Sequence, residues 1–206
     1  MGIFGASGCG KTTKARKLIE NLNRIIFVTP LFDDLMELGK KKFKIINNLD
    51  DLFKYLNQSF VTGFKIAYYP RENREIQELS EISNFLMRYQ SGYGFTHAAQ
   101  VTLVVDELDM SFPTGASLKD TRNGFKNLCC RGRHTGINIV GISQRMHLID
   151  NSFRANCSAL YLFRHTEVAD VDLCIKILGR NYKEQINNLE NYQYFYKSGS
   201  TIFLHK

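Results

Sequence analysis

Near its start the chain reads Gly5-Ala6-Ser7-Gly8-Cys9-Gly10-Lys11-Thr12, and this stretch decides the fold. It matches every fixed position of the pattern G-x-x-x-x-G-K-[S/T], the phosphate-binding P-loop. The glycines let the backbone wrap a phosphate group with its N–H groups pointing inward, and the lysine brings a cation to the β- and γ-phosphates. A chance match in 206 residues has a probability on the order of one in a hundred at average residue frequencies. The pattern therefore predicts that this loop binds ATP.

The sequence on either side has the strand and the helix that a P-loop requires. Residues 1–4 predict a short strand. The positions after the loop that share one helical face are Ala15, Leu18, Ile19 and Leu22. The helix dipole adds to the attraction for phosphate. We therefore assign nucleotide binding to residues 5–13, ending at Thr13, and Mg²⁺ ligation to the Thr12 hydroxyl.

A second signature lies in the middle of the chain. Residues 101–105 form an apolar run that is typical of a central parallel strand, and Asp106 and Glu107 follow it directly. Ligands bind at the carboxyl ends of the strands in open α/β sheets, so both carboxylates are expected beside the P-loop. We assign Asp106 to Mg²⁺ and Glu107 to the attacking water.

A third signature is a strand at residues 137–143 that ends in Gln144. If this strand lies beside the one that carries Asp106, the amide of Gln144 can contact both the γ-phosphate and the water. Alone, the residue would read as an ordinary surface glutamine.

Two arginines, Arg131 and Arg133, precede that strand. They are candidates for an arginine finger, a cation that neutralises charge on the transferring phosphoryl group. Of the two, Arg133 is the preferred candidate. The alternative is a pair of favourable charges at a helix C-terminus. A stripe of Lys119, Arg122 and Lys126 on the preceding helix either meets nucleic-acid phosphates or is a solvated helix face.

The remaining pattern alternates apolar strands with amphipathic helices and predicts a mostly parallel α/β sheet. Further strands are expected at residues 25–28, 43–46, 64–69 and 159–163. Helices are expected at 50–56, 74–89, 119–131 and 168–178, a loop at 108–118, and a C-terminal β-hairpin from 192–196 and 201–204. Gly179 is expected to cap the helix that precedes it.

Composition sets the broad class. The length suits one domain over residues 1–206, and the formal net charge of +7 favours a polyanionic partner, although an unspecialised basic surface explains the charge equally well. Five cysteines without the spacing of a disulfide framework indicate a reduced, intracellular protein. The sequence contains no C-x-x-C pair, so we do not expect a zinc site. We expect neither a signal peptide nor a membrane span.

The order of these signatures resembles the FtsK/HerA superfamily of DNA-pumping ATPases. The most specific piece is Arg133-His134-Thr135-Gly136-Ile137-Asn138-Ile139-Val140-Gly141-Ile142-Ser143-Gln144-Arg145. It is similar to two branches, the genome-packaging ATPases of tailless, membrane-containing icosahedral viruses and the Zot-like assembly ATPases of filamentous phages. The small size and the absence of a span after the core favour the packaging branch.

The resemblance implies a RecA-like (ASCE) P-loop NTPase that hydrolyses ATP with Mg²⁺. It also implies a ring, a pentamer or hexamer, that threads double-stranded DNA into a preformed capsid. The implied partners include a capsid vertex or a membrane protein, and the implied location is the host cytoplasm or the virion. A P-loop small-molecule kinase and a slow nucleotide switch remain as alternatives, but Glu107 beside Asp106, together with Gln144, suits water activation better than transfer to a hydroxyl group.

Overall fold

The computed structural model describes residues 1–91, 100–115 and 124–205. Its centre is a nine-stranded sheet, and the strands follow the order β3-β4-β2-β5-β6-β1-β7-β8-β9. The strands are β1 (Gly2–Phe4), β2 (Arg24–Val28), β3 (Lys44–Ile46), β4 (Phe64–Tyr68), β5 (Val101–Val105), β6 (Ile137–Ser143), β7 (Leu160–Phe163), β8 (Tyr194–Ser198) and β9 (Thr201–His205). The first seven pair in parallel, and β8 and β9 form an antiparallel hairpin beside β7.

Helices cover both faces of the sheet. They are α1 (Lys11–Ile19), α2 (Phe32–Lys40), α3 (Leu49–Gln58), α4 (Glu75–Ser91), α5 (Leu108–Ser111), α6 (Gly124–Arg131), α7 (Asn151–Ala155), α8 (Val168–Leu178) and α9 (Lys183–Asn187). Successive strand residues point to opposite faces, so Ile3 packs with α1 and α2 whereas Phe4 packs with the other helices. The mixed α/β fold with a terminal hairpin is therefore confirmed.

The three central strands have the arrangement that the sequence predicted. Strand β6 lies between β1 and β5, with Gly141 opposite both Gly2 and Val105. Because β1, β5 and β6 run in parallel, their carboxyl ends meet at one edge of the sheet. This edge, called the carboxyl edge below, brings together the residues that follow the three strands.

Some local predictions were wrong or incomplete. The loop expected at 108–118 begins with the short helix α5, because the i, i+4 pair Leu108 and Phe112 is buried in the core. Helices α2, α7 and α9 were not predicted from the sequence, and the hairpin strands begin and end up to two residues later than expected. Residues 119–123 of the expected helix lie outside the described residues, whereas Gly179 does cap α8.

Candidate functional site

The P-loop joins β1 to α1 in a conformation that depends on glycine. Gly10 has φ +104°, and a β-carbon added there would lie 2.8 Å from Cδ1 of Tyr192. Gly5 has φ +155°, and its added β-carbon would lie 2.6 Å from Cβ of Phe163. Both positions combine a left-handed backbone with close packing, so side chains are excluded there for two independent reasons. Ser7 and Gly8 form the exposed top of the loop, and Cys9 is buried beneath it.

Three hydrogen bonds tie the loop to the rest of the carboxyl edge. The Gly5 N–H donates to the Ser143 carbonyl (3.3 Å), and the Ala6 N–H donates to the Arg164 carbonyl (2.8 Å). The Tyr192 N–H donates to the Cys9 carbonyl at 3.0 Å. The loop is thus held from the ends of β6 and β7 and from the segment that leads into β8.

The side chains that the sequence assigned to the phosphates begin α1. Lys11 is 8% exposed, and its Nζ donates to the Ala6 carbonyl at 2.8 Å, so the ammonium spans the loop. Thr12 follows it in the first turn and is half-buried. Thr13 is exposed and lines a cleft with Arg16, Glu37 and Lys65 on the α1–α2 side.

Asp106 has the surroundings of a cation ligand. It is 3% exposed, its Oδ1 accepts the Glu107 N–H at 3.1 Å, and its buried Oδ2 has no partner among the described residues. Burial raises its pKa to about 7, and the charges of Asp34 and Glu107 add to this effect. A buried carboxylate oxygen without a donor, close to like charges, fits a magnesium ion, which prefers oxygen ligands.

Glu107 and Gln144, which the sequence assigned to the attacking water and the γ-phosphate, are joined by a hydrogen bond. The Gln144 Nε2 donates to Glu107 Oε1 at 2.7 Å across the ends of β5 and β6. Glu107 has φ +45° and ψ +54°, a left-handed conformation that is rare for a residue with a side chain. Burial raises its pKa, although the hydrogen bond from Gln144 acts in the opposite direction. The strained backbone and the raised pKa suit a carboxylate that takes a proton from water.

Several polar groups beside this pair were missed by the sequence analysis. The Ser143 hydroxyl donates to Asp109 on α5 and accepts the Arg145 N–H at 2.9 Å. Asp34, on the α2 helix that the analysis did not assign, forms an ion pair with Arg16 at 2.7 Å and contributes to the raised pKa of Asp106. Local pattern offers no signal for the contacts of Ser143 with Asp109 and of Arg16 with Asp34, because in each the two partners come from different segments of the chain.

The two candidate finger arginines do not belong to this cluster. They precede β6 at its amino end, whereas Gln144 follows the same strand at its carboxyl end. Seven strand residues separate the two ends by roughly 23 Å, which an arginine side chain cannot cover. Neither Arg131 nor Arg133 therefore reaches the nucleotide edge of its own chain. A role at a neighbouring chain's nucleotide stays a prediction.

The loop, the carboxylate pair and the strand order define the class: the chain has the fold of the P-loop NTPases. Solved structures that superpose on the chain confirm the predicted resemblance at the level of the fold. Genome packaging NTPase B204 from Sulfolobus turreted icosahedral virus 2, in complex with ATP-γ-S, superposes with a TM-score of 0.74 at 15% identity, over 100% of this chain and 95% of that one. VirB4 of Thermoanaerobacter pseudethanolicus gives 0.71 at 10% identity, over 100% and 88%.

Sequence similarity is more limited than structural similarity. No family model matches the chain. Cytidylate kinase of Mycoplasmopsis pulmonis is 35% identical over 92 residues, which are 41% of this chain and 42% of the kinase. The chain thus matches less than half the length of that curated relative.

Proposed function

We propose that the chain is an ATP-hydrolysing motor that translocates double-stranded DNA and packages a viral genome into a preformed capsid. The observation that carries the hydrolytic part is the 2.7 Å hydrogen bond between Gln144 and Glu107 beside a complete P-loop. A carboxylate with a raised pKa, held by an amide, is suited to orienting water and accepting its proton.

Each residue of the carboxyl edge has a role in this proposal. The backbone N–H groups of the loop and the Lys11 ammonium bind the phosphates. Thr12 and Asp106 would hold Mg²⁺, which neutralises charge on the β- and γ-phosphates when it is bound. Glu107 takes the proton of the attacking water, and Gln144 keeps the carboxylate aligned.

DNA translocation is supported by charge and by likeness. The formal net charge of +7 favours a polyanion, and the structural neighbour B204 is described as a genome packaging NTPase. We propose that the chain acts as one domain in a ring of five or six copies. A capsid vertex or a membrane protein would dock the ring, which would work in the host cytoplasm or on the virion. Within the described residues, no helix is both long enough and apolar enough to span a membrane.

The test of the nucleotide site is Lys11→Ala, with Lys17→Ala as its control. Both lysines lie on α1, but only Lys11 is buried against the loop, whereas Lys17 is exposed. ATP turnover should be lost in Lys11→Ala and retained in Lys17→Ala, because only Lys11 neutralises the β- and γ-phosphates. Equal turnover in the two variants would contradict the assignment of the P-loop.

A second candidate function is a small-molecule kinase, which the partial match to cytidylate kinase favours. In a kinase the phosphoryl group passes to an acceptor hydroxyl or phosphate, and water must be excluded from the site. The hydrogen-bonded pair of Glu107 and Gln144, which we assign to the attacking water, supports the motor instead. Incubation with ATP and cytidine monophosphate separates the two functions by the product that forms.

A further inference from the structure

The two sides of the P-loop carry different groups. On the β6 side lie the residues assigned to Mg²⁺, the attacking water and the γ-phosphate, which are Asp106, Glu107 and Gln144. On the other side β1 pairs with β7, which pairs in turn with β8. Because the γ-phosphate end of a nucleotide belongs with the carboxylates, we expect the nucleoside end to extend toward β7 and β8.

An exposed aromatic side chain lies on that second side. Tyr192 precedes β8 and is 67% exposed, yet its backbone N–H donates to the P-loop carbonyl of Cys9 at 3.0 Å. Its ring lies against Gly10, where an added β-carbon would be 2.8 Å from Cδ1 and 3.4 Å from Cε1. A large ring is thus fixed beside the last turn of the phosphate loop while most of its surface remains accessible.

The backbone of this residue is held in an unfavourable conformation. Tyr192 has φ +70°, in the left-handed region that bulky residues rarely adopt. Such strain is retained where the surrounding structure and function require it. The preceding residue, Asn191, accepts a hydrogen bond from Arg164 Nε at 3.1 Å, and the Arg164 carbonyl in turn receives the Ala6 N–H. The segment is therefore tied to the P-loop at two points.

We infer that the Tyr192 ring stacks on the base of the bound nucleoside triphosphate and gives the site a preference for purines over pyrimidines. This inference rests on the proposed nucleotide binding and adds the element that distinguishes one base from another. Loop N–H groups and Lys11 recognise phosphates alone, so they cannot make that distinction. An aromatic face offers a larger stacking area to a purine than to a pyrimidine, and base–aromatic stacking is worth about 5- to 150-fold in affinity.

The experiment is calorimetric titration of the intact chain with ATP, CTP and inorganic tripolyphosphate. Tyr192→Gly removes the ring but adopts φ +70° without strain and keeps the N–H that bonds Cys9. Tyr192→Phe keeps the ring and serves as the matched control, and thermal unfolding of each variant confirms that it is folded. Tyr192→Gly should lower the affinity for ATP by about 5- to 150-fold and reduce the preference for ATP over CTP. Its affinity for tripolyphosphate should be unchanged. Tyr192→Phe should bind all three ligands as the unmutated protein does.

Each other outcome overturns the inference in a recognisable way. Unchanged ATP affinity in Tyr192→Gly would show that the ring does not touch the base. Equal losses for ATP and tripolyphosphate would show that the ring only supports the loop. If the unmutated chain binds tripolyphosphate as tightly as ATP, the base contributes nothing, although the P-loop stands. If it binds neither ligand, the proposed function itself fails.

Discussion

The carboxyl edge of the central strands differs from the opposite edge, called the amino edge, in how far its charged side chains are bonded within one chain. At the carboxyl edge Lys11 is buried and Glu107 is half-buried, and each is hydrogen-bonded within the chain, Glu107 to Gln144 and Lys11 to the Ala6 carbonyl. At the amino edge Arg131 and Arg133 are exposed, and none of the ion pairs among the described residues involves either one.

This difference suggests how the site is divided between chains. Water activation can be assembled within one chain, because both strands that supply it are adjacent in the same sheet. Arg131 and Arg133 lie roughly 23 Å away along β6, so we propose that they serve a nucleotide bound by another copy. A head-to-tail ring brings unlike surfaces together in this way.

The largest effect is expected at the amino edge. Arg133→Ala should lower ATP turnover by about 10³- to 10⁵-fold and leave ATP affinity nearly intact, because a finger acts on the transition state. Mixing it with Lys11→Ala should restore part of the activity, since mixed interfaces pair an intact arginine with an intact P-loop. Steady-state turnover of the separate and mixed variants measures this.

Arg180→Ala, a change of another exposed arginine, is the control for that experiment and should leave turnover unchanged. Full activity in Arg133→Ala, with the loss appearing in Arg131→Ala, would transfer the role to the other arginine. Full activity in both would remove the need for a second chain.

A smaller loss is expected at the carboxyl edge. Glu107→Gln should bind ATP normally and hydrolyse it about 10²- to 10⁴-fold more slowly, because an amide cannot take the proton of water. Single-turnover hydrolysis and equilibrium binding measure the two quantities separately. The exposed Glu184→Gln is the control, and loss of binding together with hydrolysis would make Glu107 structural.

The smallest effect concerns stability and tests whether the buried carboxylate of Asp106 destabilises the folded chain. Burial raises the pKa of Asp106 from 3.8 to about 7. A raised carboxyl pKa means that the folded chain binds the proton more tightly than the unfolded chain, so this contribution to stability is present below pH 4 and lost as the pH rises through 7. Between pH 4 and pH 8 the free energy of unfolding of Asp106→Asn should therefore rise by about 1–3 kcal/mol relative to that of the unmutated chain.

Urea unfolding at the two pH values, without nucleotide or magnesium, measures that change. The exposed Asp172→Asn should show no comparable pH dependence. The same stability difference at both pH values would mean that Asp106 is not held in a protonated state by its surroundings.

The sequence predicted the parts of the site that depend on local pattern. The P-loop is one continuous stretch, and Asp106, Glu107 and Gln144 each follow a recognisable apolar strand. Parallel strands collect their carboxyl ends at one edge, so these residues could be brought together without coordinates. By the same rule Arg131 and Arg133, which precede β6, belong to the other edge.

The remaining contacts depend on packing between distant segments. Tyr192 reaches the P-loop only because β7 and β8 pair, and the sequence analysis interpreted it as part of a hairpin strand. Asp34 enters the site through α2, a helix with only two buried apolar residues and hence a weak pattern. Glu107 has its left-handed backbone in the turn that leads into α5. The sequence predicted a loop there because Pro113 and Gly115 follow closely, although Leu108 and Phe112 are buried.

The most direct test of the account is the fate of the phosphoryl group released from ATP. The unmutated chain is incubated with ATP, magnesium and cytidine monophosphate, with and without double-stranded DNA, at several protein concentrations. The account predicts that inorganic phosphate is the product, that its rate per chain rises with protein concentration as rings form, and that DNA increases it. Accumulation of cytidine diphosphate in place of inorganic phosphate, at a rate per chain independent of concentration and DNA, would contradict it.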